Sequence, residues 1–376
     1  MRILRPVIIP SVCSCRLCQA TSSLIPRTPI FAAMGNDITI DEGLKFDVVS
    51  ETDSRLGTGR KTSGDLDDTT SIASLSTTYS TPAPPSILSY RYENGRRYHG
   101  FRGSSYFLPN DEHEQDRLEV VHEMFKLIVN GDLHRAPLPP NLCRALDFGT
   151  GTGNWAIEFA DEHPDCEVLG TDLSSIQPPC VPPNCLFVIE DVSSPWIFDQ
   201  KFDYIHGRSV KGIVTDWDFL YCQIRNNLEN GGWVEIQEID SAFKADDDTL
   251  DRAPKTSLWN EKYNEAGRIS KHRVDIVRDQ QACLERAGFN DIHEEIYKVP
   301  IGPWAKGPML KELGRLTLMH SLEGLESFTL GLFSRVLGWT RQEIDDLMYD
   351  VKKELLNPNN HFYISAHFIY GQKPPV

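Results

Sequence analysis

Arg144-Ala145-Leu146-Asp147-Phe148-Gly149-Thr150-Gly151-Thr152-Gly153-Asn154-Trp155 is the stretch whose reading decides the fold. Arg144 to Phe148 has the length and apolar content of a buried strand. Asn154 to Glu162 has helical spacing and stops at His163-Pro164, because the residue before proline is steered away from the helical region. Between them glycine recurs at every second position, 149, 151 and 153. A strand that passes through glycines into a helix offers the helix's first, unpaired N–H groups to an anionic ligand. Three readings fit the turn alone: an S-adenosylmethionine site, a dinucleotide site, or close packing without a ligand. The dinucleotide fingerprint places its third glycine one position later. Thr152 also puts a branched residue where a pyrophosphate needs close approach.

The strands that follow bear on that choice. Glu167 to Thr171 is the second strand, with Asp172 at its carboxyl end, and Cys185 to Ile189 is the third, followed by Glu190 and Asp191. Asp172 is placed to accept both hydroxyls of a ribose, in charge-assisted bonds worth roughly 1.5–3 kcal/mol each. That contact suits either nucleotide. Asp191 is placed to accept from an adenine amino group, or it simply starts a loop. Asp147 is placed to meet the amino group of a methionine moiety, directly or through water. Three acids at three successive strand ends fit S-adenosylmethionine better than a dinucleotide, and a cationic sulfonium suits an acidic cleft.

Further along, Phe202 to His206 is the fourth strand, and the loop through Gly207 and Arg208 faces the methyl group in such folds. His206 is the candidate catalytic residue, as base or wall; a hydrogen-bonded structural histidine remains the alternative. Trp217 to Leu228 reads as a helix. Gly231-Gly232 then leads into strand Trp233 to Ile239, on which Glu235 and Gln237 face one way and Glu238 the other. Gln280 to Ala287 reads as a helix capped by Gly288. Asp291 to Val299 and His361 to Tyr370 alternate like antiparallel strands, and Asp111 to Val129 reads as an amphipathic helix ahead of the sheet. Alternating strands and helices argue for an α/β fold with a mostly parallel sheet. Two helical insertions, about 243–276 and 302–356, interrupt the rhythm. They are expected to cover the carboxyl ends of the strands, where open sheets bind ligands. Trp259, Tyr263, Trp304 and Trp339 in them either wall an apolar substrate or build core.

The chain has 376 residues, is 40% hydrophobic and carries a formal net charge of -16. A sizeable core is therefore available, and direct nucleic-acid binding is disfavoured by charge. No apolar run reaches the roughly 18 residues of a membrane helix. The nine cysteines show no pairing framework, as in reduced proteins. Residues 1–33 hold arginines and no acid, which reads either as a targeting segment of mitochondrial type or as an extension upstream of a start at Met34. Met34-Gly35 with Thr39 fits a myristoylation pattern, weakened by Asp37. Cys13, Cys15 and Cys18 lack a fourth ligand, so no metal site is assigned. Residues 34–88, rich in Ser, Thr and Asp, cannot bury enough apolar surface to offset ordering and read as a disordered tail. The folded domain is expected over 89–376.

A resemblance emerges from several short motifs: Tyr98-His99-Gly100-Phe101, Asp116-Arg117-Leu118, Leu133-His134-Arg135-Ala136-Pro137, the glycine turn with Trp155, Leu173-Ser174 with Ile176-Gln177-Pro178, Ser194-Pro195-Trp196 and Glu238-Ile239-Asp240. Together they resemble the fungal LaeA-like methyltransferases from about Tyr90 to Gln372. The resemblance implies a class I methyltransferase Rossmann-like fold with a seven-stranded, mostly parallel sheet and an antiparallel last strand. It implies S-adenosyl-L-methionine as cofactor, held by Tyr98, His99, Asp147, Gly149, Thr150, Gly151, Gly153, Asn154, Trp155, Asp172, Leu173, Asp191 and Val192. Tyr98 and His99 would close over the cofactor. Asn154 departs from the family's usual apolar residue and is expected to cap the helix. The family includes nuclear regulators of secondary metabolism that assemble with velvet-domain proteins, which implies such a partner and a nuclear or cytoplasmic location; residues 1–33, as a genuine transit peptide, would make it mitochondrial. A small-molecule O- or N-methyltransferase and a cofactor-binding scaffold without catalysis are the alternatives. The methyl acceptor is not legible in these residues.

Overall fold

The computed structural model describes residues 7–8, 38–41, 90–99 and 107–375. Cys13, Cys15 and Cys18, Met34-Gly35, residues 42–88 and the rest of the 1–33 segment apart from Val7–Ile8 lie outside the described residues.

A two-residue strand β1 (Val7–Ile8) comes first, then a hairpin of β2 (Tyr90–Glu93) and β3 (Arg96–His99). Its turn, Asn94-Gly95, has φ of 54° and 80°, the left-handed pair that a tight hairpin with right-handed strand twist requires. Helix α1 (Glu112–Ile128) follows, capped by the Asp111 side chain, which accepts from the Glu114 N–H. Then β4 (Arg144–Phe148), α2 (Asn154–Glu162), β5 (Glu167–Asp172), β6 (Cys185–Ile189), β7 (Phe202–Arg208), α3 (Trp217–Asn227) and β8 (Leu228–Ile239) alternate. Helix α4 (Pro254–Ile269), a 3-10 turn Ile276–Asp279, α5 (Gln280–Ala287), β9 (Asn290–Pro300), α6 (Pro308–Arg335), α7 (Arg341–Leu355) and β10 (Tyr363–Gln372) complete the chain.

The main sheet has the order β1-β6-β5-β4-β7-β8-β10-β9. Strands β6, β5, β4, β7 and β8 run parallel. The last strand, β10, is antiparallel to both β8 and β9. These seven strands are the expected sheet, and β1 adds a short antiparallel edge at Ile189 and Val188. The order reverses at β4, so the crevice beyond its carboxyl end is where ligands bind in open α/β sheets.

Why the central strands sit where they do is visible in their side chains. Ala145, Leu146 and Phe148 of β4 are buried, and so is Asp147. A strand covered by helices on both faces needs such a run. Phe187 of β6 fills the room left by two glycines: a Cβ at Gly153 would lie 2.5 Å from its ring, and one at Gly170 would lie 2.4 Å from it. Gly288 closes α5 with φ of 81°, as a left-handed cap does.

The insertions differ in extent from the reading. Within 243–276 only Pro254–Ile269 is α-helical, and 302–356 splits into α6 and α7. Helix α6 packs on α1, α4, α7 and β9 and so roofs the carboxyl ends of the strands. Residues 38–41, read as part of a tail, pair with the roof instead. Ile40 bridges Ala305, Asp41 N–H donates to Trp304 O (3.0 Å), Lys306 N–H to Thr39 O (2.9 Å), and Lys311 pairs with Asp41. Among the described residues no helix is long and apolar enough to cross a membrane.

Candidate functional site

The glycine turn opens into a cleft that runs from β4, β5 and β6 to the underside of the lid. Gly149, Gly151 and Gly153 have φ of 66°, 60° and 85°, a region costing an L side chain roughly 1–2 kcal/mol. At Gly149 a Cβ would also lie 2.8 Å from Val210. The turn is held by Thr150, whose N–H donates to Thr171 O (2.9 Å) and whose Oγ1 donates to Asp147 Oδ2 (2.5 Å).

Gly149, Gly151, Asp172, Leu173 and Val192 all line the cleft. Asp172 accepts from Gly151 N–H and Ser174 N–H, both at 2.8 Å. Burial pushes its carboxyl up to about 6 despite those two bonds, and the charge of Asp147 adds to the rise. A carboxylate that is costly to ionise where it stands gains most from new hydroxyl donors, which is what a ribose brings. Asn110, Ser174 and Ile176 complete this end; Asn110 Nδ2 donates to Ser174 Oγ (3.2 Å).

Other expected site residues lie off the cleft wall. Asp147 is buried; its Oδ1 accepts from His206 Nδ1 (2.8 Å) while Oδ2 holds Thr150. It shapes the turn from behind and does not line the cleft. His206 lies beside it on β7, fully buried, with Trp155 stacked at 3.8 Å and 8°. Trp155 is itself buried, donating from Nε1 to Leu133 O (2.8 Å). Both are core, because side chains of the central strand's neighbour and of α2 that face each other meet beneath the turn. His206 therefore does not line the cleft. Asn154 is the first helical residue of α2; the N-cap is Gly153, with no side-chain cap. Asp191 turns inward on its own loop, accepting from Ser193 N–H (2.9 Å) and Ser194 Oγ (3.4 Å). Its neighbours Glu190 and Val192 line the cleft, and Asp191 does not. Tyr98 is buried under the Arg335 guanidinium (5.2 Å). His99 is buried, which lowers its pKa, and the nearby Asp191 charge partly offsets the fall. Neither residue lines the cleft.

Sequence reasoning missed the far half. Its wall is a buried network from hairpin to lid. Arg96 grips Asp111 (2.6 and 2.8 Å) and donates to Ser327 Oγ (3.2 Å). Ser327 donates to Glu114 (2.9 Å), which accepts from Arg117 (2.5 and 3.0 Å), and Arg117 donates to His320 Nδ1 (3.0 Å). The Glu-x-x-Arg spacing of Glu114 and Arg117 was the available signal, since such pairs share a helix face. Of the four lid aromatics, Trp259 and Tyr263 line the cleft, stacked at 4.9 Å. Trp304 and Trp339 instead pack in the lid's own core. On β8 the alternation resolves cleanly. Glu235 accepts from Arg135 N–H, Ala136 N–H and Tyr204 OH away from the cleft, and Gln237 donates to Leu133 O. Glu238 faces the cleft.

A sheet in this order, a left-handed glycine turn after its central strand and an acid at the end of the next strand define an S-adenosylmethionine-dependent methyltransferase of class I. The residues present fit that cofactor: the turn is open where a Cβ would intrude, and Asp172 stands ready for hydroxyl donors. When bound, it supplies a methyl group already activated on a sulfonium.

A family model described as "Methyltransferase domain" matches residues 114–294. Methyltransferase pytC of Aspergillus terreus is 38% identical over 310 residues, spanning 82% of this chain and 93% of that protein. The laeA protein of Emericella nidulans, described both as protein-methionine methyltransferase and as secondary metabolism regulator, is 38% identical over 288 residues, 76% of this chain and 77% of that one. Among solved structures, the phosphoethanolamine N-methyltransferase 2 of Haemonchus contortus with S-adenosyl-L-methionine is 19% identical with a TM-score of 0.38, covering 69% of this chain and 52% of that one. The chain belongs to the LaeA-like methyltransferases.

Proposed function

We propose that this methyltransferase carries a methyl group to an acceptor inserted beneath the helical lid, and that it serves secondary metabolism as a regulator of the LaeA type. The observation that carries the first part is the single cleft joining Gly149, Gly151 and Asp172 to a chamber walled by Trp259, Tyr263 and Phe328. Donor and acceptor held in one cleft react with an advantage of up to roughly 7–11 kcal/mol over free encounter. The regulatory part is supported by the description of the Emericella nidulans relative. With it come a nuclear or cytoplasmic location and a velvet-domain partner, both parts of this proposal.

The chamber also favours a second reading. An aromatic-lined space beneath the lid suits a small organic acceptor, and the pytC relative matches over nearly its whole length. One experiment separates the two. The protein is incubated with isotopically labelled S-adenosylmethionine and a fungal cell extract resolved into protein and small-molecule fractions. Label in a protein band supports regulation, and label in an extractable compound supports biosynthesis. Label in neither, from a protein that binds S-adenosylhomocysteine, leaves only a scaffold and refutes transfer.

A further inference from the structure

Among the described residues, the acceptor half of the cleft contains one carboxylate whose second oxygen has no hydrogen-bond partner. Glu238, at the end of β8, is fully buried and lines the chamber. Its Oε1 accepts from Lys211 N–H (2.7 Å). Its Oε2 is buried without a hydrogen-bond partner among the described residues. Leaving a buried carboxylate oxygen unpaired is costly, so a sequence that keeps one in a cavity wall leaves it for something that enters. The chamber around it is apolar and ringed, with Phe243, Trp259, Tyr263 and Phe328.

We propose that Glu238 is a catalytic residue of the methyl transfer, its Oε2 accepting a hydrogen bond from, and then the proton of, a hydroxyl or N–H group on a ring-containing apolar acceptor. This rests on the small-molecule reading above and names the acceptor's chemistry. The balance is simple. The acceptor's oxygen or nitrogen forms the bond to the methyl carbon as the carbon–sulfur bond breaks, and that electron pair stays on sulfur. The acceptor's proton passes to Glu238 and leaves to solvent after release. A thioether acceptor, such as a methionine side chain, has no proton to give and gains nothing from this arrangement.

The surroundings suit a base. Burial pushes the Glu238 carboxyl up to about 7, and the charge of Lys211 and its backbone N–H hold it from rising further. The charged or titratable groups around it include Arg208 on β7, Asp240 beside it, Tyr221 on α3, Tyr263 on α4, Glu114 and Arg117 on α1, and His320 on α6. His320 is held well below its ordinary value by burial and by the charges of Arg117 and Lys211, so it stays neutral across this range.

The test compares wild type with Glu238→Gln in the labelled-transfer assay, with S-adenosylhomocysteine calorimetry as a check on the donor site. The variant should bind S-adenosylhomocysteine as wild type does and lose about 10²–10⁴-fold in kcat. Wild-type kcat should rise with pH through about 7, and the labelled product should be an ether or an N-methyl amine. Transfer by Glu238→Gln at the wild-type rate, with the same pH profile, overturns the proposal alone. So does a labelled sulfonium as the main product. A wild-type protein that binds S-adenosylhomocysteine and labels nothing overturns the functional reading and this with it. Should the variant fail to fold, the wild-type pH profile and product chemistry still decide.

Discussion

Lowering the pH should strip this protein of its donor before it unfolds, through Asp172. In the protein alone its carboxyl stands at about 6 instead of 3.8, a difference near 3 kcal/mol at about 1.36 kcal/mol per unit. The sign follows from which form each state prefers. The folded chain holds this proton more tightly than the unfolded chain, so the group opposes stability increasingly as pH rises from about 4 to 6. The donor reverses the preference, because two ribose hydroxyls donate more strongly to a carboxylate, which accepts at both oxygens, than to a protonated carboxyl, which spends one oxygen as a donor. S-adenosylhomocysteine should therefore bind about elevenfold more weakly at pH 5 than on the plateau above pH 7, and binding at pH 5.5 should release about three quarters of a proton. Calorimetry in two buffers of different ionisation enthalpy measures both quantities. Asp172→Asn should bind more weakly at every pH and lose the dependence. A flat affinity from pH 7.5 to 5, or a dependence that survives in Asp172→Asn, refutes the assignment of Asp172 as the ribose carboxylate.

The glycines flanking Phe187 differ in a way urea denaturation can read. Gly170→Ala should cost roughly 1–3 kcal/mol through overpacking and be largely rescued by Phe187→Leu. Gly153→Ala should be rescued only in part, since its φ of 85° carries a separate penalty of about 1–2 kcal/mol. His206→Phe keeps the stack on Trp155 but removes the bond to Asp147; stability should fall by about 1–3 kcal/mol while kcat changes less than the roughly 10²-fold expected of a general base. A kcat loss of that size at unchanged stability and donor affinity would restore His206 as catalytic. Arg117→Met should cost roughly 3–5 kcal/mol by leaving the Glu114 charge buried without its partner, and adding Glu114→Gln should recover part of it.

The sheet was legible because its signals are local. The run Arg144 to Phe148, the glycines after it and the stop at His163-Pro164 each act within a few residues, and β4, α2, β6 and α5 fall where those signals put them. The hairpin β2–β3 was equally available in Asn94-Gly95, a dipeptide whose left-handed pair makes the tightest turn. The donor site was legible only as far as the backbone positions it. Glycines and strand ends place Gly151 and Asp172 in the cleft. Whether a polar side chain there meets ligand or protein depends on which neighbour reaches it first. Asp147 is met by Thr150 and His206, and Asp191 by Ser193 and Ser194; nothing in one strand's sequence announces its neighbour's side chains. The acceptor half draws on loops and helices far apart in the chain, with Glu114 and Arg117 meeting Ser327 and His320 across more than half its length. Alternation on β8 separated Glu238 from Glu235, but only the third dimension showed which side was the cleft.

Phe187 has a consequence for descent. One ring occupies the space that side chains at positions 153 and 170 would need, so the three positions cannot drift independently. A lineage that trades Phe187 for a smaller residue frees position 170, whose backbone is an ordinary strand, to accept alanine or serine. It does not free position 153, where the turn itself demands glycine. Among relatives, a gain of bulk at 170 should therefore travel with a loss of bulk at 187, while glycine at 153 persists through both.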